Sequence, residues 1–176
     1  MEQAASADLV SRAKQGDEAA FTTLLRALLE PGYRLATGML QDRQLAEDAV
    51  QEAAVKAWRK LDQLREGAEI RPWFLGIVAN ECRTTRRNGW WSVLKGRTER
   101  TAGGPEEEAV PGLDLRQGLR RLRADQRLVV VLYFYLDLPL EEIASIAGAS
   151  LAAVRGRLYR GLRALKSDFA ITEVEA

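Results

Sequence analysis

Residues 140–166 read LEEIASIAGASLAAVRGRLYRGLRALK, and this stretch decides what kind of fold the chain adopts. Leu140–Ala147 has helical periodicity, Gly148-Ala149-Ser150 makes a turn, and Leu151–Lys166 is helical again, with Ser150 placed to cap it. Two helices joined by a short turn containing glycine form the helix-turn-helix pattern, whose second helix enters a DNA major groove. In that helix Leu151, Val154, Leu158, Leu162 and Leu165 fall on one stripe suited to packing. The rest of its surface carries Arg155, Arg157, Arg160, Arg163 and Lys166, with Tyr159 among them and no acidic residue between. A helix that meets only water gains by interspersing Glu with Lys, so unopposed cations repel one another unless a polyanion neutralises them. Ala152, Ala153 and Gly156 leave room for close approach to a groove. A merely solvated basic helix is the alternative, and the helix and turn in front of it favour DNA.

Upstream, Leu115–Arg123 reads as one helix, and Asp125 is placed to cap a second that carries the apolar run Leu128–Leu136 before Asp137-Leu138-Pro139 breaks the chain. Between Asn88 and Gly112 the helical period fades, and glycines and prolines gather around Glu106–Glu108. A connection of about 25 residues is long for the inside of one compact domain, which predicts a linker between two. From Asp8 to Arg87 four helices are predicted: Asp8–Lys14; Asp17, as N-cap, to Leu40, interrupted or kinked at Pro31-Gly32; Asp42–Leu61; and one starting after Arg71 with Pro72 in its first turn. Strand signals are absent. The expected fold is all-α, two small helical domains joined by a flexible linker.

The 176 residues are 47% hydrophobic and 29% charged, which fits a globular chain, and the net charge is only +1. Its distribution is uneven: residues 83–100 carry +5 and residues 114–166 carry +5, against −3 over residues 1–82. Two basic patches in a nearly neutral chain give local anion binding. Cys82 is the single cysteine and histidine is absent, which excludes an internal disulfide and removes the common zinc-ligand sets and histidine-based catalysis. No glycine-rich phosphate loop is present either. The reading is therefore no metal, no cofactor and no enzyme. No apolar run reaches the ~20 residues of a membrane span, and MEQAASADLV lacks the features of a secretory signal, which predicts a cytoplasmic protein without membrane insertion.

Three blocks occur in order: AEDAVQEAAVKAWRKLDQLR from Ala46, RPWFLGIVANECRTTRR from Arg71, and LRADQRLVVVLYFYLDLPLEEIASIAGASLAAVRGRLYRGLRALK from Leu122. Together they resemble the extracytoplasmic-function (ECF) sigma factors of bacterial RNA polymerase, members of the sigma-70 family. The resemblance implies a region 2 domain at 1–88 for core polymerase binding, −10 recognition and melting, a flexible linker at 89–113, a region 4 helix-turn-helix domain at 114–168 for −35 recognition, and an acidic tail at 169–176. It assigns Asp48, Gln51 and Glu52 to the coiled coil of the largest polymerase subunit. It assigns Arg65, Arg71, Asn80, Arg83 and Arg87 to −10 DNA, and Arg155, Arg157, Tyr159, Arg160, Arg163 and Lys166 to −35 DNA. An anti-sigma factor is a further implied partner; clamping the two domains together, it is expected to hide Asp48–Glu52 and Arg155–Arg160 at once. Periodicity alone reads Asp48–Glu52 as a solvated acidic face and Trp58 and Trp73 as core residues. A stand-alone helix-turn-helix regulator, with N-terminal helices that dimerise or sense a ligand, is the rival reading.

Overall fold

A computed structural model describes residues 2–94 and 113–172 of the chain. Among these residues there are eight α-helices and no strand: α1 (Glu2–Lys14), α2 (Glu18–Leu40), α3 (Arg43–Arg59), α4 (Ile70–Leu94), α5 (Leu113–Arg121), α6 (Ala124–Val130), α7 (Leu140–Ala147) and α8 (Leu151–Thr172). A 3₁₀ turn at Leu61–Gln63 follows α3, and a π-helical segment at Val131–Tyr135 continues α6.

The helix starts follow the side chains that cap them. Asp17 Oδ1 accepts from the Ala20 N–H at 2.9 Å and Asp42 Oδ1 accepts from the Leu45 N–H at 2.9 Å, so α2 and α3 begin where the short acidic residues predict. The Ala20 N–H and the Arg12 guanidinium, 2.7 Å away, hold the Asp17 carboxyl below its ordinary range. Pro31 lies inside α2, which stays continuous. Its ring costs one backbone hydrogen bond, whereas the buried stripe Leu24, Leu28, Leu35 and Met39 spans both sides of it and packs on α3 and α4. The close approach of α4 is set at Gly32, where a Cβ would stand 2.9 Å from Phe74 Cε1. On the facing side α3 buries Ala46, Ala49, Ala53 and Ala57, small residues that let it settle on its neighbours.

Several boundaries differ from the sequence reading. The first helix begins at Glu2, and α4 runs past Arg87 to Leu94. Residues 95–112 of the expected linker, with Glu106–Glu108, lie outside the described residues, as do residues 173–176 of the expected tail. Asp125 does not cap α6: Arg123 occupies that position, and its N–H donates to Gln126 Oε1 at 3.3 Å. In the helix-turn-helix, Gly148 at φ 58° ends α7 in the left-handed region, and Ser150 Oγ accepts from the Ala153 N–H at 3.2 Å to start α8.

The two helical units dock on each other. One apolar core runs from Leu28, Leu35, Phe74 and Val78 into Leu128, Leu132, Ile143 and Ile146, with α7 against α4 and the π-helical segment against α2. At its edge Arg127 is 2% exposed. Its Nη1 donates to the Met39 carbonyl at 3.0 Å, its Nη2 to the Arg120 and Leu122 carbonyls at 2.6 and 3.2 Å, and its Nε to the Leu119 carbonyl. Among the described residues no carboxylate faces it. The acceptors are carbonyls at the C-terminal ends of α2 and α5, where unpaired C=O groups carry partial negative charge. Burial, helped by the charges of Arg86 and Arg120, pushes the Arg127 pKa down to about 10, so the group stays cationic at neutral pH. Three further contacts cross the same boundary: Arg34 to the Tyr135 carbonyl, Arg120 Nε to Gln41 Oε1 at 2.9 Å, and Arg71 Nη1 to Glu142 Oε1 at 3.8 Å.

Replacing Arg127 by Met leaves the Leu119, Arg120, Leu122 and Met39 carbonyls short of a donor, and chemical denaturation should show a loss of about 2–4 kcal/mol. Arg127→Lys should recover only part, because one ammonium lacks the planar fork that reaches both helix ends. Cys82 is fully buried and its thiol is pushed up to about 12. A thiol reagent should leave it untouched until denaturant is added. From pH 9 towards pH 12 only the unfolded chain ionises this thiol, so stability should fall as pH rises through that window.

Candidate nucleic-acid interface

The face of α8 opposite its packing side is exposed and basic. Val154, Gly161 and Leu165 are buried, with the Cβ position of Gly161 2.9 Å from Val130 Cγ2. Arg155, Tyr159, Arg160, Arg163 and Lys166 are exposed, Tyr159 by 69%. The Arg160 guanidinium folds back over Gly156, 3.3 Å from where a Cβ would stand. Arg157 departs from the expected set. Its side chain is turned towards α6, with Nε 3.6 Å from Asp125 Oδ2. Leu162 departs from the expected packing stripe: it is 39% exposed and lines an open groove of about 710 Å³ with Leu115, Phe134 and Tyr135.

On α4, Asn80, Arg83 and Arg87 share one side, and Arg83 Nη1 donates to Asn80 Oδ1 at 2.9 Å. Arg71 lies nine residues before Asn80, half a turn round the helix axis, and faces Glu142 of α7. The five expected −10 contacts therefore do not share one face. Arg65 is exposed in the loop that leads into α4.

Asp48, Gln51, Glu52 and Val55 are exposed along one face of α3, and neither acid forms an ion pair among the described residues. Trp58, expected in the core, is 36% exposed with its ring against Phe21, centroids 4.9 Å apart. Trp73 packs partly buried against the core. With the two units docked, the α3 face and the α8 face both remain open. Docking alone therefore leaves both faces for a partner to cover. Among the described residues no cluster of His, Cys, Asp and Glu could hold a metal ion, and no helix is long and apolar enough to cross a membrane.

Sequence reasoning missed Arg127, whose role depends on helix ends brought together only by folding. It also missed the exposure of Tyr133, Phe134 and Tyr135, which the π-helical turn swings outward. An unbroken apolar run gives no period from which to read that turn.

Comparison with known proteins places these faces in a family context. Residues 23–92 match sigma-70 region 2 and residues 112–165 match sigma-70 region 4. RNA polymerase sigma factor SigV of Bacillus subtilis is 30% identical over 154 residues, covering 87% of this chain and 93% of that protein. ECF RNA polymerase sigma factor SigL of Mycobacterium tuberculosis is 28% identical over 163 residues, covering 86% of this chain and 92% of that protein. Among solved structures, the sigma factor RpoE from Bartonella quintana, in complex with the anti-sigma factor NepR, superposes with a TM-score of 0.69 at 25% identity, covering 86% of this chain and 97% of that one.

Binding of the full chain to duplex DNA, followed against salt, separates the two kinds of arginine on α8. Arg163→Gln should reduce the slope of log affinity against log salt by about one, and Arg157→Gln should leave it unchanged. Equal slopes for both variants would contradict the sorting.

Proposed function

Because the chain belongs to the ECF RNA polymerase sigma factors, which direct promoter-specific transcription initiation, we propose that its α3 face docks on core polymerase and its α8 face reads the −35 element. It acts in the cytoplasm as a specificity subunit and is not itself a catalyst. On this reading residues 1–88 form the domain that binds core and captures −10 bases, and residues 114–168 form the −35-reading domain.

One observation carries the reading: the second helix of a helix-turn-helix, capped by Ser150, presents Arg155, Tyr159, Arg160, Arg163 and Lys166 outward with no acid among them. Residues near the start of α8 reach base edges, and Arg163 and Lys166, further along, meet phosphates. Arg157 contributes indirectly, by tying α8 to α6. Exposed acids on α3 suit charge-assisted hydrogen bonds from arginines on the polymerase coiled coil. Asn80, Arg83 and Arg87 line the path of the −10 strand, where an extruded base must recover a few kcal/mol of lost stacking. RpoE from B. quintana is solved with an anti-sigma factor, and we carry that class of partner to this chain as well.

Competition for core polymerase tests the docking face. Asp48→Ala with Gln51→Ala should weaken core binding by about tenfold or more, equivalent to at least ~1.4 kcal/mol, with helical content unchanged. Unaltered affinity would remove α3 as the docking element. At the −10 element, Asn80→Ala should lower permanganate reactivity of unpaired thymines, and unchanged reactivity would move the base-capturing surface elsewhere.

A further inference from the structure

We propose that Asp125 is a positioning residue for −35 recognition: it draws Arg157 off the DNA-facing side of α8 and so leaves Arg160 clear to read bases. The proposal rests on the sigma-factor reading above and adds to it a residue outside the helix-turn-helix. Its starting point is an asymmetry among the five cations of α8. Arg155, Arg160, Arg163 and Lys166 are exposed, and among the described residues none of them forms an ion pair. The Arg157 side chain is only 25% exposed, and its Nε lies 3.6 Å from Asp125 Oδ2.

Asp125 holds its place without help from Arg157. It stands in the first turn of α6, where a negative charge is favoured, and its Oδ1 accepts from the Gln126 N–H at 3.1 Å. Packing against α8 fixes α6 in turn. The other charge facing this carboxylate is Arg123, whose Nε is 3.7 Å from Oδ1 on a side chain 83% exposed, so water screens it more than it screens Arg157. The carboxylate is therefore the fixed partner, and the long guanidinium side chain moves to meet it.

The consequence falls on Arg160. At about 100° per residue, Arg160 stands between Gly156 and Arg157 round the helix. Arg157 and Arg160 are three residues apart, and two like charges at that spacing repel when both face outward. Two features separate them. Gly156 lacks the positive φ that would require glycine and weakens the helix, yet the Arg160 guanidinium occupies the space it clears, with Nη1 3.3 Å from the Cβ position. Asp125 draws Arg157 the other way. Arg160 is thus laid back towards the start of α8, the end that reaches base edges in a helix-turn-helix. A released Arg157 would add a phosphate contact, which carries no sequence information, and would crowd Arg160.

Salt-dependent binding of full-length variants tests the proposal, on a duplex carrying the upstream element shared by the chain's transcripts and on the same duplex with that element scrambled. Asp125→Asn keeps the shape of the side chain and removes its charge. It should bind the scrambled duplex more tightly, with the slope of log affinity against log salt steeper by about one. Its preference for the intact element should fall about fivefold, the lower end of what one base contact supplies. Asp125→Glu retains the ion pair and should keep both wild-type values. Asp125→Asn combined with Arg157→Gln should restore the wild-type slope and most of the preference, because the released cation is gone; a merely structural Asp125 would leave this double variant as impaired as the single one. The proposal is overturned if Asp125→Asn has the wild-type slope, or if its effects persist in the Arg157→Gln background. A wild-type chain that does not distinguish the two duplexes would instead overturn the functional reading on which the proposal rests.

Discussion

A buried guanidinium held by main-chain carbonyls organises this molecule. Arg127 is compensated by main-chain carbonyls at the ends of α2 and α5, and that choice has structural consequences. A side-chain carboxylate could follow the guanidinium wherever it moved; a helix end cannot. Arg127 therefore fixes the end of α5 to α6 within one domain and sets both against the end of α2 in the other. The groups that surround it, Gln41 in the left-handed conformation after α2 and Arg120 beside it, belong to the same junction. An unpaired buried cation is costly, and the full set of acceptors is what makes it tolerable here.

With the junction fixed, the faces left outward differ in charge. The inner sides of α2, α4, the π-helical segment and α7 meet one another, leaving the acidic face of α3 and the basic face of α8 in solvent. Their opposite charges suit different partners, protein arginines for one and nucleic-acid phosphates for the other. A net charge of +1 conceals this division because the patches nearly cancel. Charge on this chain is informative face by face, not as a sum.

Much of this was legible in the sequence because it depends on neighbours along the chain. The caps at Asp17, Asp42 and Ser150, the turn at Gly148 and the exposed stripe of α8 follow from local spacing. Elements that answer to distant residues were not. Pro31 reads as an interruption or a kink, and α2 runs on through it because burial on both sides outweighs one missing hydrogen bond. Arg157 reads as a DNA contact, yet Asp125 from another helix turns it inward. Arg71 reads as part of the −10 surface, yet it points half a turn away from Asn80 and meets Glu142. Arg127 reads as one more cation in a basic region, and only the meeting of two helix ends reveals its role.

On the proposed reading this chain gives polymerase its choice of promoter through two separate recognition faces. The most direct measurement is transcription in vitro from total genomic DNA by core polymerase, with and without the chain, followed by sequencing of transcript 5′ ends. The account predicts new start sites that share two upstream sequence elements at constant spacing, one read as duplex and one as separated strand. Start sites indistinguishable from those of core polymerase alone, or new sites sharing no common elements, would contradict it.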